Sequence, residues 1–282
     1  MASRYNPYSN HDTSRGRSSQ TKRQNNFRQL YNSLNLTRKQ EIILLVVFSL
    51  LVLVWFLTPA SDYVSNIVLL TVPLDADVQL GYESLNHVEQ KYPIVKDYWD
   101  VERIGWNILR HSKKDWNSQI QGYNWSFKVV HADFANAFAL PGGPIRITDS
   151  LLKQLNLSDG EIAALIGHEI GHVLNRHSMK RIIKSKLFGT IMEGLTYEDN
   201  DDHQENFGEA IGEILLRTAS YLGELGFSRR DEYEADSTSW DLLIRSKMNP
   251  NSVSSMLRKL WQLEGGTGKT QWESTHPGTK DR

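Results

Sequence analysis

The 282-residue sequence contains no cysteine. This absence excludes disulfide bonds, cysteine nucleophiles, cysteine-ligated metal sites and lipid attachment to an N-terminal cysteine. A chain of this length can form one domain of about 200 residues, whose core is large enough to be stable without covalent cross-links. Hydrophobic residues make up 39% and charged residues 23% of the chain, and no internal repeat divides it. The composition is that of an ordinary globular protein and predicts one main domain with additional segments.

The first 41 residues contain few acidic side chains. They hold eight Lys/Arg and only two acids, which gives this segment a net charge of +6 and leaves −7 for the rest of the chain. The segment is rich in Ser, Asn and Gln, so it cannot bury enough apolar surface to offset the entropy of ordering. We predict a disordered basic tail over residues 1–41. Few aromatic residues are interleaved with its charges, so the tail does not indicate nucleic-acid binding.

A long apolar run follows this tail. Residues 42–57 read IILLVVFSLLVLVWFL and are interrupted only by Ser49. As a helix extended to Ala60, the run rises roughly 30 Å, which is the thickness of a bilayer core. We predict a transmembrane anchor over 42–60 and a linker over 61–75. A cleaved signal peptide is the alternative, although the preceding tail is long for a signal and no clear cleavage site follows.

The basic residues lie on only one side of the apolar run. By the positive-inside rule, the N-terminus stays in the cytoplasm and residues 61–282 lie across the membrane. The Arg- and Ser-rich start is also typical of an organelle transit sequence. A mitochondrial or plastid inner membrane is therefore the alternative location.

The segment HEIGH, residues 168–172, places two histidines four positions apart with a glutamate beside the first. It lies within LSDGEIAALIGHEIGHVLNRH, which begins with a Ser-x-x-Glu capping box and continues with aliphatic residues at helical spacing. On a helix, His168 and His172 lie one turn apart and can bind one metal ion, with Glu169 beside them. The alternative is a pair of exposed histidines without a ligand.

A catalytic zinc site needs a third protein ligand and an open position for water. The extended form His-x-x-Gly-x-x-His is excluded, because Asn175 and Ser178 occupy the positions of its glycine and last histidine. His177 is out of register with the pair and is interpreted as a surface residue or as one that supports a ligand. Glu232 and Asp236 lie one turn apart on a second predicted helix, FSRRDEYEADSTSWDLL. One of them could bind the metal while the other supports it, or both could be solvent-exposed acids on the helix surface.

Several segments, in the same order, resemble the zinc metallopeptidase family that contains the CAAX prenyl protease, bacterial HtpX and the Oma-type mitochondrial proteases. HEIGH followed by SRRDEYEAD carries most of the resemblance. NAFALPGGPIRIT, residues 136–148, resembles the strand and turn before the zinc helix, and STHPGTKDR, residues 274–282, resembles a C-terminal His-Pro segment. A weaker likeness at DVQLGYE extends the resemblance to residues 77–282.

The resemblance implies a fold and a cofactor. The fold is mainly α with a small β-sheet (α+β), a zincin-like metallopeptidase domain over residues 76–282 behind one N-terminal transmembrane helix. One Zn²⁺ per chain is expected to be bound by His168, His172 and Glu232. Glu234, the other carboxylate of that segment, points to the opposite side of the helix and is not expected to bind.

The resemblance also implies the residues of catalysis. Glu169 matches the catalytic base, and His276 matches a histidine that stabilises the oxyanion, with a histidine in a frayed terminus as the alternative. Asp236 matches an acid that orients a ligand histidine. The chain departs from the family at Pro144, which is expected to alter the strand edge. The substrate backbone is expected to pair as an added strand with five residues: Asn136, Ala137, Phe138, Ala139 and Leu140.

The glycine-rich segment GGTGKT, residues 265–270, superficially resembles a phosphate-binding loop. That pattern needs a glycine five residues before Gly268, and the position is occupied by Leu263. The segment also follows a helical pattern rather than a strand. We therefore predict a helix end and a loop here, with no nucleotide bound.

The expected function is a membrane-anchored, zinc-dependent metalloendopeptidase that cuts unfolded or extended segments of membrane or envelope proteins, in quality control or processing. Its partners are then polypeptide substrates and the membrane. Two alternatives stay open. An inactive family member acting as a binding scaffold is opposed by the intact set of metal-binding residues. A prenyl-protein processing protease is opposed by the single predicted span, because that activity is associated with many spans.

Overall fold

The computed structural model describes residues 37–38, 46–47, 59–112, 116–185, 226–265 and 272–282. By its contacts the chain divides into two compact units, Met1–Ser61 and Asp62–Arg282, and the second contains the sheet and the predicted site. The predicted basic tail and nearly all of the predicted anchor lie outside the described residues. Among the helices that are described, none combines the length and the apolar character needed to cross a membrane.

Two helices precede the sheet. Helix α1 spans Pro59–Thr71 and α2 spans Leu74–Lys91. Pro73 separates them, because a proline disfavours the helical conformation of the residue before it. The same proline is the N-cap of α2 and has extended backbone angles. Along the sequence, helix α1 includes the last two residues of the predicted anchor and most of the predicted linker, residues 61–75.

The sheet has four strands in the order β1-β2-β4-β3. They are β1 (Ile94–Val95), β2 (Ser126–Val130), β3 (Ala137–Ala139) and β4 (Pro144–Thr148). Strands β2 and β4 are parallel, whereas β1 pairs with β2 and β3 pairs with β4 in antiparallel fashion. Every residue of β4 is buried, as expected of a central strand, and β3 lies at one edge.

Most of the remaining described structure is helical. The helices are α3 (Trp99–His111), α4 (Asn117–Gly122), α5 (Asp149–Leu155), α6 (Asp159–Leu174), α7 (Arg229–Arg245), α8 (Ser252–Glu264) and α9 (Trp272–Thr275), with a 3₁₀ turn at Thr279–Asp281. Residues 177–185 are also helical. Helix α6 is buried on nearly all sides and forms the centre of the domain. The predicted α+β class is confirmed.

Capping boxes begin the helix that carries HEIGH, as predicted, and the helix that carries Glu232 and Asp236. Ser158 and Glu161 form the box of α6, and Ser228 and Asp231 form that of α7. Each pair satisfies backbone N–H groups that the first turn of a helix leaves unpaired.

Helices α6 and α7 pack closely because glycines face the contact. A Cβ added at Gly171 would lie 2.9 Å from both Cα and O of Ala235, and one at Gly167 would lie 2.7 Å from Ser239 Oγ. Ser239 Oγ also donates a hydrogen bond to the carbonyl of Ala164 at 2.8 Å. This close approach brings the histidines of α6 next to the carboxylates of α7.

Candidate metal centre

Four buried side chains from three elements converge at the α6–α7 contact. They are His168 and His172 of α6, Glu232 of α7, and His276, which directly follows α9. One donor atom from each lies within 4.8 Å of all the others. The two histidine Nε2 atoms are 3.0 Å apart, and they lie 3.5 Å and 3.4 Å from the carboxylate oxygens of Glu232.

These separations fit a small metal ion. Zinc binds nitrogen and oxygen at roughly 2.0–2.1 Å, so tetrahedral ligand atoms lie about 3.3 Å from one another. The observed separations among His168, His172 and Glu232 are close to this value. Glu232 Oε1 and His276 Nε2 are buried and make no hydrogen bond with any residue that the structure describes. Two imidazoles and a carboxylate are also a typical donor set for catalytic zinc.

His168 is oriented by a carboxylate of α7. Its Nδ1 lies 2.9 Å from Asp236 Oδ1, which leaves Nε2 directed at the centre. Burial by itself lowers the pKa of His168, but the bonds with Asp236 and Glu232 outweigh it and raise this pKa to about 9. A metal ion at Nε2 therefore competes with a proton. The structure thus brings His168 into contact with the acid that was predicted from the resemblance to orient a ligand histidine.

Arg282 binds both carboxylates of this group. Its Nε and Nη2 donate to Oδ2 and Oδ1 of Asp236, each at 2.8 Å, and Nη1 donates to Glu232 Oε2. Burial tends to raise the pKa of Asp236, but the bonds from His168 and Arg282 hold it below its usual value. The pKa of Glu232 is also held well below its usual range, because the neighbouring histidines outweigh its burial. Both acids are thus charged and suit a bound cation.

His172 is held in a different way. Its ring stacks on Phe227, with centroids 3.9 Å apart and 17° between the planes, and its Nδ1 lies 2.9 Å from Nδ1 of His177. Complete burial lowers the pKa of His172 well below its usual value, so the imidazole is neutral. A neutral imidazole has the free electron pair that a metal ion requires.

Glu169 faces the same centre without a hydrogen bond of its own. It is fully buried, and neither carboxylate oxygen accepts a hydrogen bond from the described part of the chain. Its Oε1 lies 3.4 Å from His276 Nε2. A buried carboxylate left in this way has both oxygens available for a water or substrate group.

His276 lies in the buried centre rather than at an exposed end of the chain. Its ring stacks on Trp272, with centroids 3.9 Å apart and 14° between the planes, and its Nδ1 lies 2.8 Å from Thr275 Oγ1. Helix α9 is short, and the backbone N–H of His276 donates to the Trp272 carbonyl at 2.6 Å. The imidazole is therefore held in one orientation.

The predicted substrate segment lies along the edge strand β3. Thr148 N–H donates to the Asn136 carbonyl at 2.9 Å, and Leu140 N–H donates to the carbonyl of Pro144, the first residue of β4, at 2.8 Å. Because antiparallel pairing alternates, the N–H and C=O groups of Ala137 and Ala139 point away from β4. Phe138, between them, pairs with Arg146 of β4.

This edge strand begins next to the centre. Thr275 Oγ1 donates to Asn136 Oδ1 at 3.3 Å, so a single residue joins the start of β3 to His276. The Asn136 side chain also accepts from the N–H of Ala137 at 3.0 Å.

Glu234 and His177 lie on the far side of His172. Glu234 is half-exposed and remote from the four converging donors, in keeping with its predicted orientation, and its Oε2 lies 3.4 Å from His177 Nε2. His177 is buried, so of the two alternatives predicted for it, the surface residue is wrong. A surface position would follow from one continuous helix, whereas α6 ends at Leu174 and Arg176 has a φ of 53°.

The mixed α+β domain and its buried His-Glu cluster define a metallopeptidase-type centre of the His-Glu-x-x-His class. The chain belongs to peptidase family M48, whose model matches residues 107–282. The resemblance found in the sequence, and the peptidase class that it implied, are confirmed at the level of the family.

Three relatives indicate the range of this similarity. "Mitochondrial metalloendopeptidase OMA1" of Arabidopsis thaliana is 34% identical over 166 residues, which cover 58% of this chain and 31% of that protein. "Metalloprotease LoiP" of Escherichia coli (strain K12) is 31% identical over 172 residues, which cover 58% of this chain and 62% of that protein. "Protease HtpX homolog" of Pyrococcus abyssi is 31% identical over 146 residues, which cover 47% of this chain and 48% of that protein. The chain spans less than two thirds of the length of each.

Proposed function

We propose that the chain is a zinc-dependent metalloendopeptidase. The single observation that carries this proposal is the buried convergence of two imidazoles and a carboxylate beside Glu169, whose carboxylate has no other task within the described structure. Family membership and relatives named metalloendopeptidase and metalloprotease support it. A binding scaffold would have no need for an unpaired buried carboxylate, which costs free energy to maintain.

His168, His172 and Glu232 would hold the ion. Zinc bound by such a set polarises a peptide carbonyl and lowers the pKa of a water molecule. Glu169 then takes up the proton released by the attacking water and returns it to the leaving amine.

His276 would donate a hydrogen bond to the oxygen on which charge develops. The ring nitrogen on the side of Glu169 is Nε2, which lies 3.4 Å from Glu169 Oε1, and a proton on this nitrogen would make the hydrogen bond. Such a donor stabilises the transition state more than the substrate, and its removal usually lowers kcat by about 10²- to 10³-fold.

The substrate would lie extended along β3. The N–H of Ala137 is bound to Asn136 Oδ1, but the outward carbonyl of Ala137 and both outward groups of Ala139 can pair with a peptide backbone as a further strand. Such pairing gives recognition that depends little on side chains. Such a site favours unfolded or extended segments, because a folded segment has its backbone groups already paired. This supports quality control or processing of membrane or envelope proteins as the role.

The location proposed from the sequence is a membrane, with residues 42–60 as a single anchor, the N-terminus in the cytoplasm and the peptidase domain on the opposite side. A mitochondrial or plastid inner membrane is the alternative, and a relative named as mitochondrial supports it. Protease protection of doubly tagged protein in sealed vesicles tests this topology. If both tags lie on the same side of the membrane, the single-span topology is excluded.

The test of the activity uses the purified full chain and an unfolded model protein such as casein. Cleavage is expected in the presence of zinc, its loss after chelation, and its recovery when zinc is added back. Zinc bound with an affinity typical of peptidases but without cleavage of any unfolded protein would instead support the binding scaffold. Metal content and cleavage are therefore measured on the same sample.

A further inference from the structure

We propose that His177 is a positioning residue for His172: it fixes the tautomer and the ring orientation of this ligand and so strengthens metal binding. The inference rests on the metal site of the proposed function, and it adds a residue that the HEIGH and ExxxD motifs do not contain. Its basis is a chain of contacts that runs from the centre through two imidazoles to a pair of carboxylates.

The first contact joins two ring nitrogens. Nδ1 of His172 lies 2.9 Å from Nδ1 of His177, and both rings are buried. Two nitrogens at this distance share one proton, so one donates and the other accepts. A metal ion at Nε2 of His172 requires the proton of that ring on Nδ1. His177 Nδ1 is then the acceptor, and the proton of His177 lies on Nε2.

The far side of His177 suits this tautomer. Nε2 of His177 lies 3.4 Å from Glu234 Oε2 and 3.8 Å from Asp231 Oδ1. Carboxylates accept protons in hydrogen bonds and do not donate when ionised, so they favour a protonated Nε2. Both ends of the ring thus specify the same tautomer, with the acceptor toward His172.

The same cluster is poorly suited to a second metal ion. His177, Asp231 and Glu234 lie close enough to be ligands. However, Lys180 Nζ lies 3.2 Å from Asp231 Oδ1, and its positive charge opposes a second cation. Asp231 also accepts hydrogen bonds in the capping box of α7. Support of His172 is therefore the better assignment.

A break in the helix makes the contact possible. On a continuous helix, two residues five positions apart point about 140° away from each other. Here Arg176, between the end of α6 and the next helical segment, has a φ of 53°, in the left-handed region. Its side chain is bound to Asp77 and to the carbonyls of Leu69 and Val72, at 3.1 Å and 2.9 Å for the carbonyls. These contacts hold the turn that brings His177 back to His172.

The two ligand histidines are thus supported in different ways. His168 meets the carboxylate of Asp236 directly, at 2.9 Å. On its Nδ1 side, His172 reaches the carboxylates of Glu234 and Asp231 through the ring of His177. Loss of a group that orients a metal-binding histidine typically lowers metal affinity by about 10- to 100-fold.

The test compares three substitutions of His177 in the full chain. Asparagine places an oxygen near the position of Nδ1 and keeps the acceptor for His172. Glutamine places its polar group near Nε2 and loses that acceptor, while phenylalanine keeps the shape and loses both. Zinc affinity is measured by competition with a chelator, and the visible spectrum of the Co²⁺-loaded protein reports the geometry at the ion. His111→Phe, the same change on the exposed end of α3, is the control.

We expect His177→Phe and His177→Gln to bind zinc about 10- to 100-fold more weakly, with altered Co²⁺ spectra, and His177→Asn to stay within about threefold of the parent chain. If His177→Phe does not fold, the Asn and Gln variants alone decide. Equal losses in Asn and Gln, or parent-like affinity in Gln and Phe, would overturn the proposal. Because the readout is metal binding, it remains decisive if the parent chain binds zinc but cleaves no peptide, which would refute only the proposed function.

Discussion

Nε2 of His276 lies 3.4 Å from Oε1 of Glu169, deep in the domain and next to the converging donors of α6 and α7. The contact brings together two groups that reach the centre from different elements. Glu169 comes from the central helix, and His276 directly follows the short helix α9. We assign proton transfer to the first and charge stabilisation to the second, and the two roles predict different mutant behaviour.

Glu169→Gln is expected to keep zinc and to lose peptide cleavage by several orders of magnitude, on the order of 10²- to 10⁴-fold or more. The amide keeps the size of the side chain but cannot accept the proton. Metal content and cleavage of an unfolded protein are measured together. Cleavage at the parent rate would mean that another group is the base.

His276→Phe is expected to lower kcat by about 10²-fold, with little change in KM and zinc affinity, because it removes a donor to the developing charge. The phenyl ring keeps the stacking on Trp272. Chelator competition provides the control. A large loss of zinc affinity would instead make His276 a fourth ligand, which its position among the converging donors also permits.

Glu232→Ala is expected to lower zinc affinity by more than 100-fold, because it removes a ligand and leaves Arg282 without one of its acceptors. Glu234→Ala should stay within about tenfold of the parent chain, since Glu234 is half-exposed and touches the site only through His177. Chelator competition on both variants tests the assignment. The reverse order of effects would show that the wrong glutamate has been assigned.

The candidate metal-binding residues could be found in the sequence because they lie in short local patterns. His168, Glu169 and His172 share one helix, and Glu232 and Asp236 share another, so helical spacing alone places each group on one face. The N-terminus of each helix is also marked by a four-residue capping box, Ser-x-x-Glu in α6 and Ser-x-x-Asp in α7. The resemblance to a family then joined the two helices, which periodicity could not do.

Other parts of the site depend on contacts between distant segments. Nothing local in the sequence indicates that Phe227 stacks on His172 or that Trp272 stacks on His276. The position of His177 cannot be predicted from the sequence, because the left-handed residue Arg176 interrupts the helix and a non-glycine residue in that conformation has no reliable sequence signal. Its conformation is maintained by contacts with Asp77 and the turn before α2, about 100 residues away.

The pH dependence of stability should reveal the capping box of α6. Burial alone raises the pKa of Glu161, but hydrogen bonds from Lys259, Ser255 and Ser158 outweigh it and lower this pKa to about 2. Since the folded pKa lies below the unfolded value of 4.5, the ionised carboxylate stabilises the fold fully above pH 4.5. That stabilisation is lost as the pH falls from there toward 2.

Glu161→Gln should therefore lower the free energy of unfolding by about 2 kcal/mol at pH 7. Urea unfolding of the parent chain and the variant at pH 7, 5 and 3 measures the difference. We expect the same difference at pH 7 and 5 and a smaller one at pH 3. A difference that does not change with pH would mean that the charge of Glu161 makes no contribution.

Helices α6 and α7 are in close contact at Gly171. A Cβ at position 171 would lie 2.9 Å from the Cα and O of Ala235 and 3.2 Å from Thr238 Cβ. Two of these atoms belong to the backbone of α7 and cannot move aside as a flexible side chain does. Gly171→Ala should therefore separate the helices by a few tenths of an ångström and destabilise the fold by about 1–3 kcal/mol.

The same displacement should weaken metal binding, because Glu232 precedes Ala235 by less than one helical turn and moves with it, away from His168 and His172. Gly122→Ala is the matched control, since a Cβ at that position meets no atom within 4 Å. Zinc affinity and the unfolding midpoint are measured for both variants. If Gly171→Ala retains parent-like zinc affinity, the donors adapt to a shifted helix, and the close glycine contact is not what holds the carboxylate in place.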